Sequence, residues 1–211
     1  SVEELERIYR AIVERWDVLG VEEFTMECNP DDLSEEYLTA LYKLPINRLS
    51  IGVQSFDNDE LRWLNRRHTA IEAIEAVERA KYIGFKNITI DLMFALPVQT
   101  IDSLNYSIDC ALELDVQHIS AYSLMFEPDS KITKLMNLNR LAPLEEDVAA
   151  DMFDLLSKRL IGAGYEQYEI SNYAKLGFES QHNSGYWHGM RYLGLDLSAQ
   201  SFDGDKRWSN V

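Results

Sequence analysis

Four short runs with β character, EFTMECNP, NRLSIGVQ, ITIDLMF and HISAYSLM, are separated along the chain by stretches with helical periodicity. Connections of that length and pattern cannot be hairpins; they are crossovers, which make the strands parallel and put helices outside the sheet. The first helix is predicted over SVEELERIYRAIVERW, where Leu5, Ile8, Tyr9, Ile12, Val13 and Trp16 form one apolar stripe and Ser1 with Glu4 forms a capping box. DDLSEEYLTALYK repeats the pattern. A helical region from Asp57 to Ile83, broken near His68 and Thr69 and ended by Gly84, follows the second strand, and SLNYSIDCALEL follows the third. Beyond Glu127 a polar connection leads to a helix over EEDVAADMFDLLSKRLIGAG. The Tyr-rich tail from GYEQYEISNYA onward is expected to give an appended strand and loops at the sheet edge.

Parallel strands covered on both faces normally read as continuous apolar runs. These do not. Side chains alternate along a strand, so Phe24, Met26 and Cys28 lie opposite Thr25 and Glu27, and Leu49, Ile51 and Val53 lie opposite Ser50, Gly52 and Gln54. Ile88, Ile90 and Leu92 oppose Thr89 and Asp91; Ile119 and Ala121 oppose Ser120 and Tyr122. The apolar face belongs under the helices, so the polar face must look into a shared space that holds water and a polar ligand. A carboxylate such as Glu27 or Asp91 buried there without a partner would cost roughly several kcal/mol or become neutral. Glu27, Gln54 and Asp91 sit near the carboxyl ends of their strands, the general position of α/β sites, and Arg66 could add a forked donor for a carboxylate or phosphate. The alternative is a set of strand-end hydrogen bonds that only tie down loops, with Arg66 a surface charge.

The net charge of −16 over 211 residues excludes a nucleic-acid surface, which relies on Lys and Arg to displace counterions. No apolar run approaches the roughly 20 residues that span a bilayer, and a cytoplasmic location is expected. Cys28 and Cys110 have no metal-ligand spacing and read as buried thiols.

NRLSIGVQSF, LNRRH, IDLMFALP and HISAYSL together resemble the radical S-adenosylmethionine (SAM) proteins related to oxygen-independent coproporphyrinogen III oxidase, from about Glu23 to Tyr192. YEISNYA and HNSGYW look more like the haem-chaperone branch of that family. The resemblance implies an α/β fold: a partial open (βα)6 barrel over residues 1–128 with an α+β C-terminal extension over 129–211. It implies SAM and a four-iron, four-sulfur cluster as cofactors. Carried over residue by residue, Glu27 and Gln54 would contact the ribose region, Arg66 would pair with the methionyl carboxylate, and Asp91 and Met125 would complete the cofactor wall. His182 of HNSGYW, beside Tyr186 and Trp187, is a candidate haem ligand; the alternative is a loop-bonding histidine among packing aromatics. His68, His118 and His188 are weaker candidates.

Several positions depart from the family pattern. The CxxxCxxC loop that holds the cluster and the glycine-rich strand end after it are absent, and both are expected before Ser1, in which case these residues alone carry no radical chemistry. Ala95 stands for the Gly of the GLP turn, and LDLSAQSF has Gln200 where the family has His. The function expected is a haem chaperone that binds haem or porphyrin and passes it to an acceptor protein. The sister reading is the decarboxylating oxidase. A hydrolase or lyase using Glu27 and Asp91 as an acid/base pair and an interaction module with a vestigial site are the readings from other classes. An open parallel edge invites dimerisation.

Overall fold

In the computed structural model, residues 1–126, 128, 130–138 and 141–210 are described. They form two compact units, residues 1–178 and 179–211. The domain boundary expected after residue 128 adjoins Asp129, which lies outside the described residues, as does Glu127.

The first unit is built on a sheet in which β1 (Thr25–Cys28), β2 (Arg48–Gln54), β3 (Ile88–Phe94) and β4 (His118–Ser123) run parallel in chain order. The crossovers hold α2 (Glu35–Leu41), then α3 (Asn58–Trp63) with α4 (Ala70–Ile83), then α5 (Ile101–Glu113). The predicted alternation is therefore observed. Leu49, Ile51, Val53, Ile88, Ile90 and Ile119 are wholly buried on the helix side, against the small face Ala73, Ala76, Val77 and Ala80 of α4 and Leu104, Ile108 and Ala111 of α5. Thr69 and Thr100 cap α4 and α5 with reciprocal bonds to Glu72 and Ser103, and Gly84 ends α4 at φ +122°, a conformation that suits a residue without Cβ.

After β4 the chain passes through α6 (Lys131–Asn137) to α7 (Glu146–Gly162), then returns through β5 (Glu166–Gln167) and β6 (Asn172–Ala174). β6 pairs antiparallel with β4 and carries β5 on its far side, giving the order β1-β2-β3-β4-β6-β5. The appended strand is thus where the sequence predicts it. In residues 179–211, α8 (Gln181–Trp187) is followed by a hairpin of β7 (Gln200–Phe202) and β8 (Arg207–Ser209).

Four expectations need correction. The helix α1 (Val2–Val13) stops before Trp16, and its apolar stripe is mostly uncovered: Ile8 is 58% exposed and no residue of α1 is buried. β4 ends at Ser123, so Leu124 and Met125 belong to the following loop. The polar connection contains α6, which Ser130 initiates by accepting a bond from the Thr133 amide. HNSGYW, predicted as loop, lies within α8, nucleated by the Ser180 hydroxyl on the Asn183 amide; about two turns are too short for apolar periodicity to reveal.

Ala95 adopts φ +59°, the left-handed region that costs an L-residue about 1 kcal/mol, so the absent glycine is felt in the backbone. Ala95→Gly should stabilise the fold by roughly 0.5–1 kcal/mol and raise the melting temperature by about 1–4 °C in a thermal scan. A lowered melting temperature would show that the methyl, at 9% exposure, contributes more by packing than the backbone loses.

Candidate functional site

The face of the sheet opposite the helices carries a column of polar groups that rises from the amino ends of the strands to their carboxyl ends. At its base is Arg48, 2% exposed. Its Nη2 donates to Thr89 Oγ1 at 2.7 Å, and its Nη1 donates to the Phe178 carbonyl at 3.3 Å and pairs with Glu23 at 3.4 Å. A buried guanidinium persists only with such partners. His118 lies across Thr89 in the strand register, its Nε2 2.8 Å from the Tyr168 hydroxyl. Burial, and then the Arg48 charge, push its pKa down to about 3, so the imidazole is neutral.

One step up, Asp91 accepts from the Ser50 hydroxyl at 3.4 Å and from that of Ser120. Burial, then the nearby Glu27 carboxylate, raise its pKa to about 6; the serine bonds and Arg48 pull the other way. Glu27 itself is exposed, one residue from the end of β1.

At the carboxyl rim the ladder between β2 and β3 slips between Ile51 and Gln54, and Gln54 takes φ +72°. A non-glycine residue held there is strained, and the bulge redirects its side chain. Gly52 lies beneath it: a Cβ at that position would stand 2.9 Å from Gln54 Nε2 and 3.2 Å from Arg66 Nη2. The two candidate ligand groups therefore converge over the one position in β2 that has no side chain. Arg66 comes from the turn between α3 and α4 rather than from a helix face. Its Nη2 donates to Asn29 Oδ1 at 2.6 Å and to the Gly52 carbonyl at 2.9 Å, and it joins no ion pair among the described residues. Met125 is 73% exposed in the loop beyond β4.

The rim is braced from behind by a group that sequence reading missed. Glu60, 2% exposed on α3, accepts from the Ser55 hydroxyl at 2.6 Å, the Ser103 hydroxyl at 2.5 Å and the Gln99 amide at 3.0 Å. It ties the chain after β2 to the loop after β3 and the start of α5. Arg48 was legible by parity, two residues before Ser50 on the same face. Asn29 follows Glu27 at the same parity at the end of the EFTMECNP run, a signal that sequence reading passed over; Glu60 carries none, since it lies on no strand.

His182 belongs to the second unit. On α8 its Nε2 lies 2.8 Å from the Tyr186 hydroxyl, and the rings are edge-on at 4.7 Å; Tyr186 in turn packs edge-on against Tyr192 at 4.8 Å. Trp187 and Met190 beside them are 64% and 61% exposed. His68 is buried against the Val53 carbonyl at 3.0 Å, and His188 Nδ1 lies 2.7 Å from the Ser184 carbonyl.

A parallel α/β sheet with an amide, a guanidinium and a carboxylate toward its strand ends has the donors and acceptors of a candidate small-molecule site of the barrel type. The model of the radical SAM superfamily matches residues 2–111, and the chain belongs to that superfamily. The heme chaperone HemW of Lactococcus lactis is 39% identical over 211 residues, covering 100% of this chain and 56% of the relative. The heme chaperone HemW of Bacillus subtilis is 44% identical over 189 residues, covering 90% and 50%. The chain thus spans about half the length of the curated relatives it matches. Among solved structures, coproporphyrinogen III oxidase (HemN) from Escherichia coli superposes with a TM-score of 0.82 over 100% of this chain and 51% of that one; at 22% identity the likeness concerns the fold.

The superfamily's cofactors are SAM and a four-iron, four-sulfur cluster. The residues present suit the first: its carboxylate needs a fixed cation and its ribose needs amide and carboxylate partners. They do not suit the second. Burial pushes the Cys28 thiol up to about 12 and raises that of Cys110, and among the described residues no three metal-ligating side chains come together.

Asp91 predicts a pH dependence with a definite sign. Its folded pKa of about 6 exceeds the ordinary 3.8, so its contribution to stability is full below pH 4 and is lost as pH rises through 6. His118 acts oppositely, losing stability as pH falls below 6.5, but is common to wild type and variant. Asp91→Asn should therefore gain on wild type between pH 4.5 and 7.5 in urea unfolding, by on the order of 2 kcal/mol. A difference independent of pH would contradict this.

Proposed function

We propose that this chain forms the SAM-binding wall of a cytoplasmic haem chaperone, a protein that holds haem and passes it to an acceptor protein. The observation that carries the cofactor half is the convergence of Gln54 and Arg66 over Gly52, above a half-buried Asp91. In this reading Arg66 binds the methionyl carboxylate, Gln54 and Glu27 take the ribose hydroxyls, and Asp91 and Met125 close the wall. The cluster would be held by thiolates outside these 211 residues.

The haem half is supported by the HemW relatives and by the chemistry of α8. A neutral imidazole is an ordinary axial ligand to haem iron, and His182 sits among aromatic side chains that could cover a porphyrin face. No helix among the described residues is long and apolar enough to cross a membrane. The sheet order leaves β1 without a strand on its outer side among the described residues, and we place self-association of the chain at that edge. An acid/base pair of Glu27 and Asp91 is the competing use of the same face, and the raised Asp91 pKa is what favours it.

Two titrations test the proposal. S-adenosylhomocysteine, which keeps the carboxylate and ribose, should bind the chain in calorimetry, and Arg66→Ala should weaken it about tenfold or more. Haem should give a Soret shift that His182→Ala abolishes. Absence of nucleoside binding would remove the cofactor reading. Turnover of coproporphyrinogen III by the protein would replace the chaperone with the oxidase.

A further inference from the structure

Arg66 has five N–H donors, and how they are divided decides what it can grip. Both protons of Nη2 are committed, one to Asn29 Oδ1 at 2.6 Å and one to the Gly52 carbonyl at 2.9 Å. The guanidinium is planar, so fixing Nη2 at two points fixes the whole fork. Nε and Nη1 are left to serve a ligand carboxylate.

Asn29 is itself held the right way round. Its Nδ2 donates to Asp32 Oδ2 at 3.3 Å, which assigns Oδ1 to the guanidinium; the reversed amide would set an NH2 against a cation and an oxygen against a carboxylate. Asp32 is in turn gripped by Arg67 Nη2 at 3.1 and 3.3 Å, and Asp31 binds the same nitrogen at 2.6 Å. The Asn29 amide is thus clamped between an acidic pair anchored by one arginine and the cation it presents. The short 3-10 turn Pro30–Asp32, directly after β1, supplies this geometry, with buried Pro30 fixing the backbone beside Asn29.

The geometry points to Asn29 as a positioning residue that, with the Gly52 carbonyl, holds the Arg66 guanidinium so that Nε and Nη1 face the carboxylate of the bound nucleoside amino acid. The inference rests on the cofactor reading above and deepens it: Asn29 sets carboxylate specificity without touching the ligand. In its absence Arg66 keeps its charge and one bond but gains rotamer freedom, which must be lost again on binding.

The test compares two ligands that differ in the group concerned. S-adenosylhomocysteine carries the amino-acid carboxylate; 5′-methylthioadenosine has the same nucleoside without it. Titrating the 211-residue chain by calorimetry, Asn29→Ala should weaken S-adenosylhomocysteine about five- to twentyfold and leave methylthioadenosine within about twofold of wild type. Thermal unfolding of the variant checks that it is folded. A merely structural role would weaken both ligands together. Equal loss for both, or no loss for either, overturns the assignment of Asn29 while leaving the cofactor reading in place. Binding of neither ligand by wild type overturns the cofactor reading and the inference with it. Where Asn29→Ala fails to fold, Asp32→Ala, which releases the amide from the other side, should give the same selective loss in smaller degree; a non-selective loss or none overturns the assignment equally.

Discussion

A guanidinium sealed beneath a parallel sheet must be partnered or it will not stay folded, and the polar face of this protein is organised around that requirement. Arg48 meets it with Thr89, Glu23 and the Phe178 carbonyl, which draws β2, β3 and the segments flanking the strands into one network. Neutral His118 on Tyr168 fits beside that charge, and Asp91 sits one layer above, far enough into the sheet to be desolvated but within reach of two serines. An apolar interior would not need these bonds; a polar one cannot do without them.

The rim depends on a second constraint, the slip in β2. By taking Gln54 into the left-handed region the chain moves a side chain that regular alternation would fix, and glycine at 52 leaves room for it and for Arg66. Such strain needs support elsewhere. Glu60 supplies it, binding Ser55 just after the slip, Gln99 in the loop after β3 and Ser103 in the first turn of α5. The candidate ligand groups are on the sheet's open side and their brace is on its helix side, so a substitution at Glu60 would reach them through the backbone.

Period-2 alternation made the sheet legible in the sequence. Because Ser50, Asp91 and Ser120 share one parity with Thr89 and Gln54, the polar face could be assigned strand by strand, and Thr69 and Gly84 marked the ends of α4; the pattern of SLNYSIDCALEL starts α5 two residues late and misses its cap at Thr100. What could not be read lies where periodicity stops. The left-handed backbone of Gln54 follows from a register slip that only the neighbouring strand defines. Asn29 reaches Arg66 37 residues away in sequence, and Glu60 reaches Gln99 and Ser103 39 and 43 residues away. Helices of about two turns such as α8 give too few positions for a period, and the stripe of α1 carries the pattern of burial although only Leu5, Tyr9 and Ile12 of it are half-buried.

In the proposed function the carboxyl rim of β1–β4 holds SAM. Its most direct test is nuclear magnetic resonance of the uniformly labelled chain titrated with S-adenosylhomocysteine. Saturable shifts are expected at the Gln54 side-chain amide, the Arg66 Nε–H, the Asp91 backbone and the Met125 methyl, with the helix-side core, such as Ala76 and Leu104, unmoved. Shifts confined to the outer helices, or none at all at millimolar ligand, would contradict it.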